Sequence, residues 1–94
     1  MTHRHTDGNQ AEIVKTLRGI PGIVVKDTHA LGDGFPDIEV GFRGRNYLFE
    51  IKDPAKPPNK RKLTSDEVIW HRDWTGQVNV VLSAEEIFKV IGIN

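Results

Sequence analysis

Two runs of alternating apolar and polar residues flank Arg43-Gly44, and this alternation restricts the fold more than any other feature of the chain. A two-residue turn there closes a hairpin whose register follows by counting: Phe42 faces Arg45, Val40 faces Tyr47, Ile38 faces Phe49, and Asp37 faces Glu50. Because successive side chains point to opposite sides of a strand, Ile38, Val40, Phe42, Tyr47, Phe49 and Ile51 share one face. Asp37, Glu39, Asn46, Glu50 and Lys52 share the other. The first face is core, and the second carries the chemistry. Directly opposed side chains have Cβ atoms about 5 Å apart, where like charges destabilise the pairing. The Asp37 and Glu50 pair therefore requires a compensating partner.

A divalent cation is such a partner. Two converging carboxylates, joined by a main-chain carbonyl, make a hard oxygen site suited to Mg²⁺ or Mn²⁺. Lys52 follows Glu50 by two residues on the same face and places a positive charge beside that site. There it can orient or help deprotonate an attacking water, or stabilise a phosphorane-like transition state. The competing reading is a solvent-facing polar strand on which Lys52 pairs with an acidic neighbour.

The sequence Gly34-Phe35-Pro36-Asp37, then Glu50-Ile51-Lys52, then Leu63-Thr64 with Glu67 resembles the virus-type replication-repair nuclease (VRR-NUC) domain, a branch of the PD-(D/E)XK nuclease superfamily. The resemblance spans residues 27–92, with a similar tail of Trp74-Thr75-Gly76, a valine-rich strand and Ser83-Ala84-Glu85-Glu86. It implies a metal-dependent nuclease in which Asp37, Glu50 and the Ile51 carbonyl bind Mg²⁺, with Mn²⁺ as substitute, while Lys52 assists catalysis. Glu67 joins the catalytic set by the same resemblance, at a position where many members carry glutamine. Glu12 is an outer acidic ligand by resemblance, although it points away from the apolar face of its helix and also reads as an exposed charge. Small standalone phage and bacterial members resemble Holliday-junction resolvases, which implies a homodimer acting on branched DNA.

Thirteen basic and thirteen acidic residues cancel, so the global charge does not favour a nucleic-acid partner. The distribution does. Arg43, Arg45, Lys52, Lys56, Lys60, Arg61 and Lys62 stand against only Glu50 and Asp53 in the same stretch. Residues 54–62, immediately after Lys52, read as a phosphate-contacting loop, or alternatively as a solvated Pro-rich linker. Arg43, Arg45, Lys56, Lys60, Arg61 and Lys62 are the candidate DNA contacts.

Ninety-four residues allow one domain, 1–94, with a modest core. The lack of cysteine excludes disulfides and thiolate metal sites and suits a cytoplasmic setting, the host cytoplasm for a phage-encoded chain. There is no apolar run of signal-peptide or membrane-spanning length, so no membrane partner is expected. Residues 1–6 read as a flexible terminus, and His3 and His5 lack the further ligands a metal site needs.

Hydropathy and capping signals predict the order αβββαβα, an α/β (α+β) class with a mixed sheet flanked by helices, consistent with the restriction-endonuclease-like core that the resemblance implies. Thr6 or Asp7 caps a first helix ending near Arg18. A strand over residues 23–27 precedes a glycine-bearing loop over residues 29–34 and then the hairpin. Thr64 and Glu67 form a capping box for a helix running to about Trp74, residues 78–82 a short strand, and Ser83 and Glu86 a second capping box. Trp70 and Trp74 are expected in the core rather than as base-stacking platforms. Asp27 and His29, beside the glycine loop, either line the site or read as a turn aspartate and a surface histidine, the commoner outcome, and Asp33 and Asp53 read as turn residues near the active loop. Two functions remain: a Mg²⁺-dependent DNA endonuclease, and a nucleic-acid-binding or assembly module that keeps the fold without turnover. Retention of Asp37, Glu50 and Lys52 together favours the first.

Overall fold

Ile13, Val14 and Leu17 fall on one side of a helical turn. In the computed structural model, which describes residues 8–93, the helix α1 (Gln10–Arg18) buries all three against the sheet. The chain continues through β1 (Val24–Asp27), a 3-10 turn at His29–Leu31, β2 (Ile38–Phe42), β3 (Arg45–Ile51), a 3-10 turn at Pro58–Lys60, α2 (Ser65–Asp73), β4 (Asn79–Val81) and α3 (Ala84–Ile91). Among the described residues this is an α+β arrangement of three α-helices and one four-stranded mixed sheet, ordered β1-β2-β3-β4. β1, β2 and β3 pair antiparallel, whereas β4 lies parallel to β3 after the crossover through α2.

The hairpin register is the one the alternation dictates, with Ile38 opposite Phe49, Val40 opposite Tyr47 and Phe42 opposite Arg45. Arg43 and Gly44 have φ of 51° and 78°. Positive φ at both central residues is the twist that a two-residue hairpin turn needs. The apolar face then meets α1 and α3: Leu17, Ile38, Phe49, Ile51 and Ile87 are at most 1 % exposed. Each such side chain contributes about 1.5–3 kcal/mol when buried.

Several boundaries differ from the sequence expectation. α1 begins at Gln10 after Asn9, while Thr6, Asp7, His3, His5 and the rest of residues 1–6 lie outside the described residues. The Asn9 side chain makes no cap; its Nδ2 donates to the carbonyls of Lys52 (3.2 Å) and Leu82 (3.0 Å). Asn9 thereby ties α1 to the ends of β3 and β4, the end where Lys52 sits. The Thr64 and Glu67 box forms as expected. At α3, Ser83 accepts from the Glu86 amide, but the Glu86 carboxylate accepts from Leu82 N at 2.8 Å. The tryptophans are also not core. No residue of α2 is fully buried, Trp70 is half-buried, and Trp74 is 41 % exposed. α1 and α3 already occupy the apolar face, so α2 lies over the polar one. Among the described residues no helix is long and apolar enough to cross a membrane.

Candidate functional site

Asp37 stands where the hairpin stops being a regular ladder. Its amide still donates to the Phe49 carbonyl (3.0 Å), but its carboxylate replaces main chain as the next acceptor, taking the Ile51 amide on Oδ2 at 2.7 Å. Its other oxygen, Oδ1, lies 3.3 Å from His29 Nδ1. The loop is anchored by Thr28, whose hydroxyl donates to the Pro36 carbonyl (2.7 Å) and whose amide donates to that of Asp37 (2.9 Å). These bonds fix the Asp37 carboxylate against the β3 backbone.

Glu50 is 2 % exposed, and Lys52 and Asp37 are each 7 % exposed. That burial rules out the solvent-facing polar strand. Lys52 Nζ lies 2.8 Å from Glu67 Oε1 and 3.5 Å from Glu50 Oε2, so one ammonium joins β3 to α2. Glu67 Oε1 also accepts from the Thr64 amide at 2.9 Å. The capping and site-facing readings of Glu67 are therefore both realised by a single oxygen.

The cleft above these groups has a volume of about 320 Å³ and is also walled by His29, Gly34, Lys60 and Lys62. A larger open groove of about 700 Å³ follows α1 past Lys15, Arg18 and Asp27, but it contains no opposed acids.

The electrostatics of the cleft are dominated by the burial of Glu50 among other charged groups. Burial, a hydrogen bond with Glu67 and the nearby Asp37 charge push the Glu50 carboxyl up to about 10, against a smaller opposing effect of Lys52. Burial alone would raise Glu67 as well, but hydrogen bonds with Glu50, Lys52 and Thr64 outweigh it and hold that carboxyl below its ordinary value. Burial also lowers His71, against the attraction of Glu67. Glu50 Oε1 is buried with no hydrogen-bond partner.

Among the described residues no group of three or more His, Cys, Asp or Glu side chains is arranged to hold a metal ion. The smaller donor set of Asp37, Glu50 and a backbone carbonyl nevertheless fits a hard divalent cation. It offers only oxygens, one of them an orphaned carboxylate oxygen in a buried position, and a cation there would favour the charged form that burial now disfavours.

The remaining candidates divide by position. Lys60 and Lys62 line the cleft, whereas the exposed Lys56 and the half-buried Arg61 do not, and Arg61 Nε donates to the Lys56 carbonyl at 2.6 Å. Arg43 and Arg45 sit at the opposite end of the hairpin, where the Arg43 guanidinium lies 4.7 Å over the Phe42 ring. Glu12 is exposed on α1, and Asp27 accepts from the His29 amide at 2.9 Å and faces the α1 groove; neither borders the cleft. Asp33 and Asp53 occupy turns: Asp33 has φ of 54°, and Asp53 accepts from the Ala55 amide at 2.9 Å. His29, a surface histidine on the commoner of its two readings, contacts Asp37 and borders the cleft. Its spacing of eight residues from Asp37 spans an irregular loop, so no periodicity in the sequence predicts that contact.

Gly34 holds the two walls together. Its φ is 78°, and a Cβ there would lie 2.3 Å from the Asp66 carbonyl oxygen, so the start of α2 packs directly on its backbone. Gly34→Ala combines an unfavourable left-handed conformation with a main-chain collision. It is expected to lower stability by at least about 1–2 kcal/mol and to displace Glu67 from Lys52. A melting temperature equal to wild type would show that α2 does not depend on this contact.

The chain matches no protein-family model, no curated protein and no solved structure.

Proposed function

We propose that the chain is a metal-dependent nuclease that hydrolyses DNA phosphodiester bonds, with a restriction-endonuclease-like core of the VRR-NUC kind. The observation that carries this reading is the convergence of Asp37, Glu50 and Lys52 on one cleft floor, with a carboxylate oxygen of Glu50 buried and unpartnered. Asp37, Glu50 and the Ile51 carbonyl would hold Mg²⁺ or Mn²⁺, and the bound ion would supply Lewis acidity and a more acidic water. The chain's own groups do the rest. Lys52, braced by Glu67, orients the attacking water and stabilises charge on the phosphoryl oxygens as the P–O bond to the leaving sugar oxygen breaks. His29 holds Asp37 in one orientation, as a partner behind a ligand does. Lys60 and Lys62 on the cleft wall attract the phosphodiester backbone.

The deciding experiment incubates the purified protein with labelled linear, flapped and four-way-junction DNA in Mg²⁺, Mn²⁺ or EDTA. Metal-dependent strand cleavage is expected. Cleavage that persists in EDTA would overturn the mechanism, and tight binding without cleavage in either metal would favour the non-catalytic binding module. Homodimerisation and preference for branched DNA follow from the same resemblance. They predict paired cuts on opposed strands of the junction and twice the monomer mass in sedimentation.

Neutralising Lys56, Lys60, Arg61 and Lys62 together is expected to weaken DNA binding across sequences, with Lys60 and Lys62 accounting for most of the effect because they border the cleft. Each lost phosphate contact lowers the logarithmic salt slope by roughly 0.9 on duplex DNA. Binding isotherms at several salt concentrations check this. Curves that overlay wild type would move the DNA track to Arg43 and Arg45 at the far end of the hairpin.

A further inference from the structure

The aromatic groups that α2 leaves outside the core form a continuous row beside the cleft. Phe35 meets Trp70 edge to face, with ring centroids 5.3 Å apart, and Trp70 stacks on Trp74 at 4.7 Å and 19°. The Trp74 indole carries Trp70 on one face, has Gly76 against its Nε1–Cε2–Cζ2 side and donates from Nε1 to the Gln77 carbonyl at 3.1 Å, yet the residue is 41 % exposed through the rest of its ring. A rigid, exposed indole is an unusual thing to leave in water, since Trp normally contributes through burial of its large apolar surface.

The row leads somewhere. Phe35 borders the cleft that holds Asp37, Glu50 and Lys52, and it also borders a second groove of about 240 Å³ whose other walls are Trp74, Leu48, Glu39, Asn46 and Gln77. Both spaces lie on the polar face of the hairpin. The second groove therefore pairs aromatic walls with a hydrogen-bonding floor. Asn46 is exposed and offers both donors and acceptors, and Glu39 offers acceptors. Gln77 supplies less, because its amide already pairs with the Leu48 main chain at 2.7 and 2.9 Å and serves to hold the Trp74 segment against β3.

We propose that this groove receives an unpaired nucleobase next to the phosphate held in the cleft, with Trp74 as the stacking surface and Asn46 and Glu39 facing the base edge. A ring system stacks on an indole whatever its sequence, but a base paired inside a duplex has no free face to offer. The site therefore selects nucleic acid with a single-stranded stretch at the cutting point, such as a flap, a frayed end or a branch, over continuous duplex. This rests on the nuclease reading for the role of the cleft, while the stacking itself can be measured without turnover.

Trp70 and Trp74 are the only tryptophans in the chain, so intrinsic fluorescence reports on the site directly. The wild-type protein in EDTA is titrated with an oligodeoxythymidine of about eight nucleotides, with the matching oligouridine, and with a blunt duplex of the same length. Saturable quenching by either single strand supports the site, the tighter one naming its source, and the duplex is expected to quench much less. Trp70→Phe, which leaves Trp74 as the sole tryptophan, should still be quenched when excited beyond the tyrosine band. Trp74→Ala should weaken single-strand binding by roughly 5- to 150-fold, the equivalent of about 1–3 kcal/mol per stacked base, and Trp74→Phe should retain most of it. Should Trp74→Ala fail to fold, Trp74→Leu, which keeps apolar bulk without a stacking ring, gives the same comparison. Affinity within about twofold of wild type in a folded Trp74→Leu protein, or unchanged fluorescence when a labelled strand is shown to be bound, overturns the proposal. Quenching without cleavage in Mg²⁺ would remove the nuclease reading and leave the stacking site. Cleavage without quenching would do the reverse.

Discussion

Asp37→Asn, Glu50→Gln and Lys52→Ala are each expected to reduce DNA cleavage at saturating protein by at least about a hundredfold, the usual cost of losing one group that stabilises transition-state charge. The three changes should act through different steps. Asp37→Asn removes a negative charge from the cation site and places an amide donor opposite the Ile51 amide, which now donates to Asp37 Oδ2 at 2.7 Å. It should lower both metal affinity and rate. Lys52→Ala leaves both acids of the cation site in place, so metal affinity should survive while turnover is lost. Glu67→Gln gives the sharper contrast, because an amide oxygen can still accept from Thr64 N and Lys52 Nζ. Partial activity in Glu67→Gln, with α2 intact, would fit a residue that braces Lys52. Single-turnover cleavage and metal titration of each variant provide the check. Full activity in Asp37→Asn or Lys52→Ala would sink the assignment of those residues.

The parts of this architecture that were readable in the sequence are those governed by local rules. The hairpin register follows from alternation and a two-residue turn, because a slip by one position would turn Ile38, Val40 and Phe49 out of the core. The box at Thr64 and Glu67 is set by a spacing of three residues, and the juxtaposition of Asp37, Glu50 and Lys52 is inherited from the register. What escaped depends on contacts between distant segments. The capping signals point to Thr6 or Asp7 rather than Asn9, and the Asn9 bonds to Lys52 and Leu82 exist only once α1 docks at the ends of β3 and β4. His29 reaches Asp37 by way of an irregular loop. Trp70 and Trp74 resemble core residues because large aromatics usually are. Their exposure follows from a tertiary fact, namely that α1 and α3 cover the apolar face of the sheet and leave α2 the polar one.

In the absence of metal, wild-type protein is expected to lose stability as pH rises from 6.5 to 8, and Glu50→Gln is expected to remove most of that dependence. The ordinary Glu pKa is 4.5, and in the folded protein burial first, then Glu67 and Asp37, raise Glu50 to about 10. Below pH 4.5 both states keep the proton and the raised value has no effect. Above it the unfolded chain releases a proton that the folded chain retains, so folding grows less favourable by up to about 1.4 kcal/mol per pH unit until the folded group itself titrates. Glu67 is shifted the other way, and its contribution is lost only as pH falls through its lowered folded value, whereas burial of His71 penalises folding below that group's ordinary 6.5 and relents as pH rises to it, so the interval above 6.5 is left to Glu50. Glutamine, which is neutral throughout, should give a flat profile above pH 6.5 and the same or a higher metal-free melting temperature at pH 8. Mg²⁺ should reverse the order: a ligand bound only by the folded state adds about 2.7 kcal/mol at a hundred times its dissociation constant, and it competes with the proton on Glu50, so the gain should be larger at pH 8 than at pH 5. Thermal melts of both proteins across this range, with and without Mg²⁺, test each step. A wild-type profile that stays level without metal would mean that Glu50 is ionised in the folded protein, and equal Mg²⁺ shifts in wild type and Glu50→Gln would place the cation elsewhere than between Asp37 and Glu50.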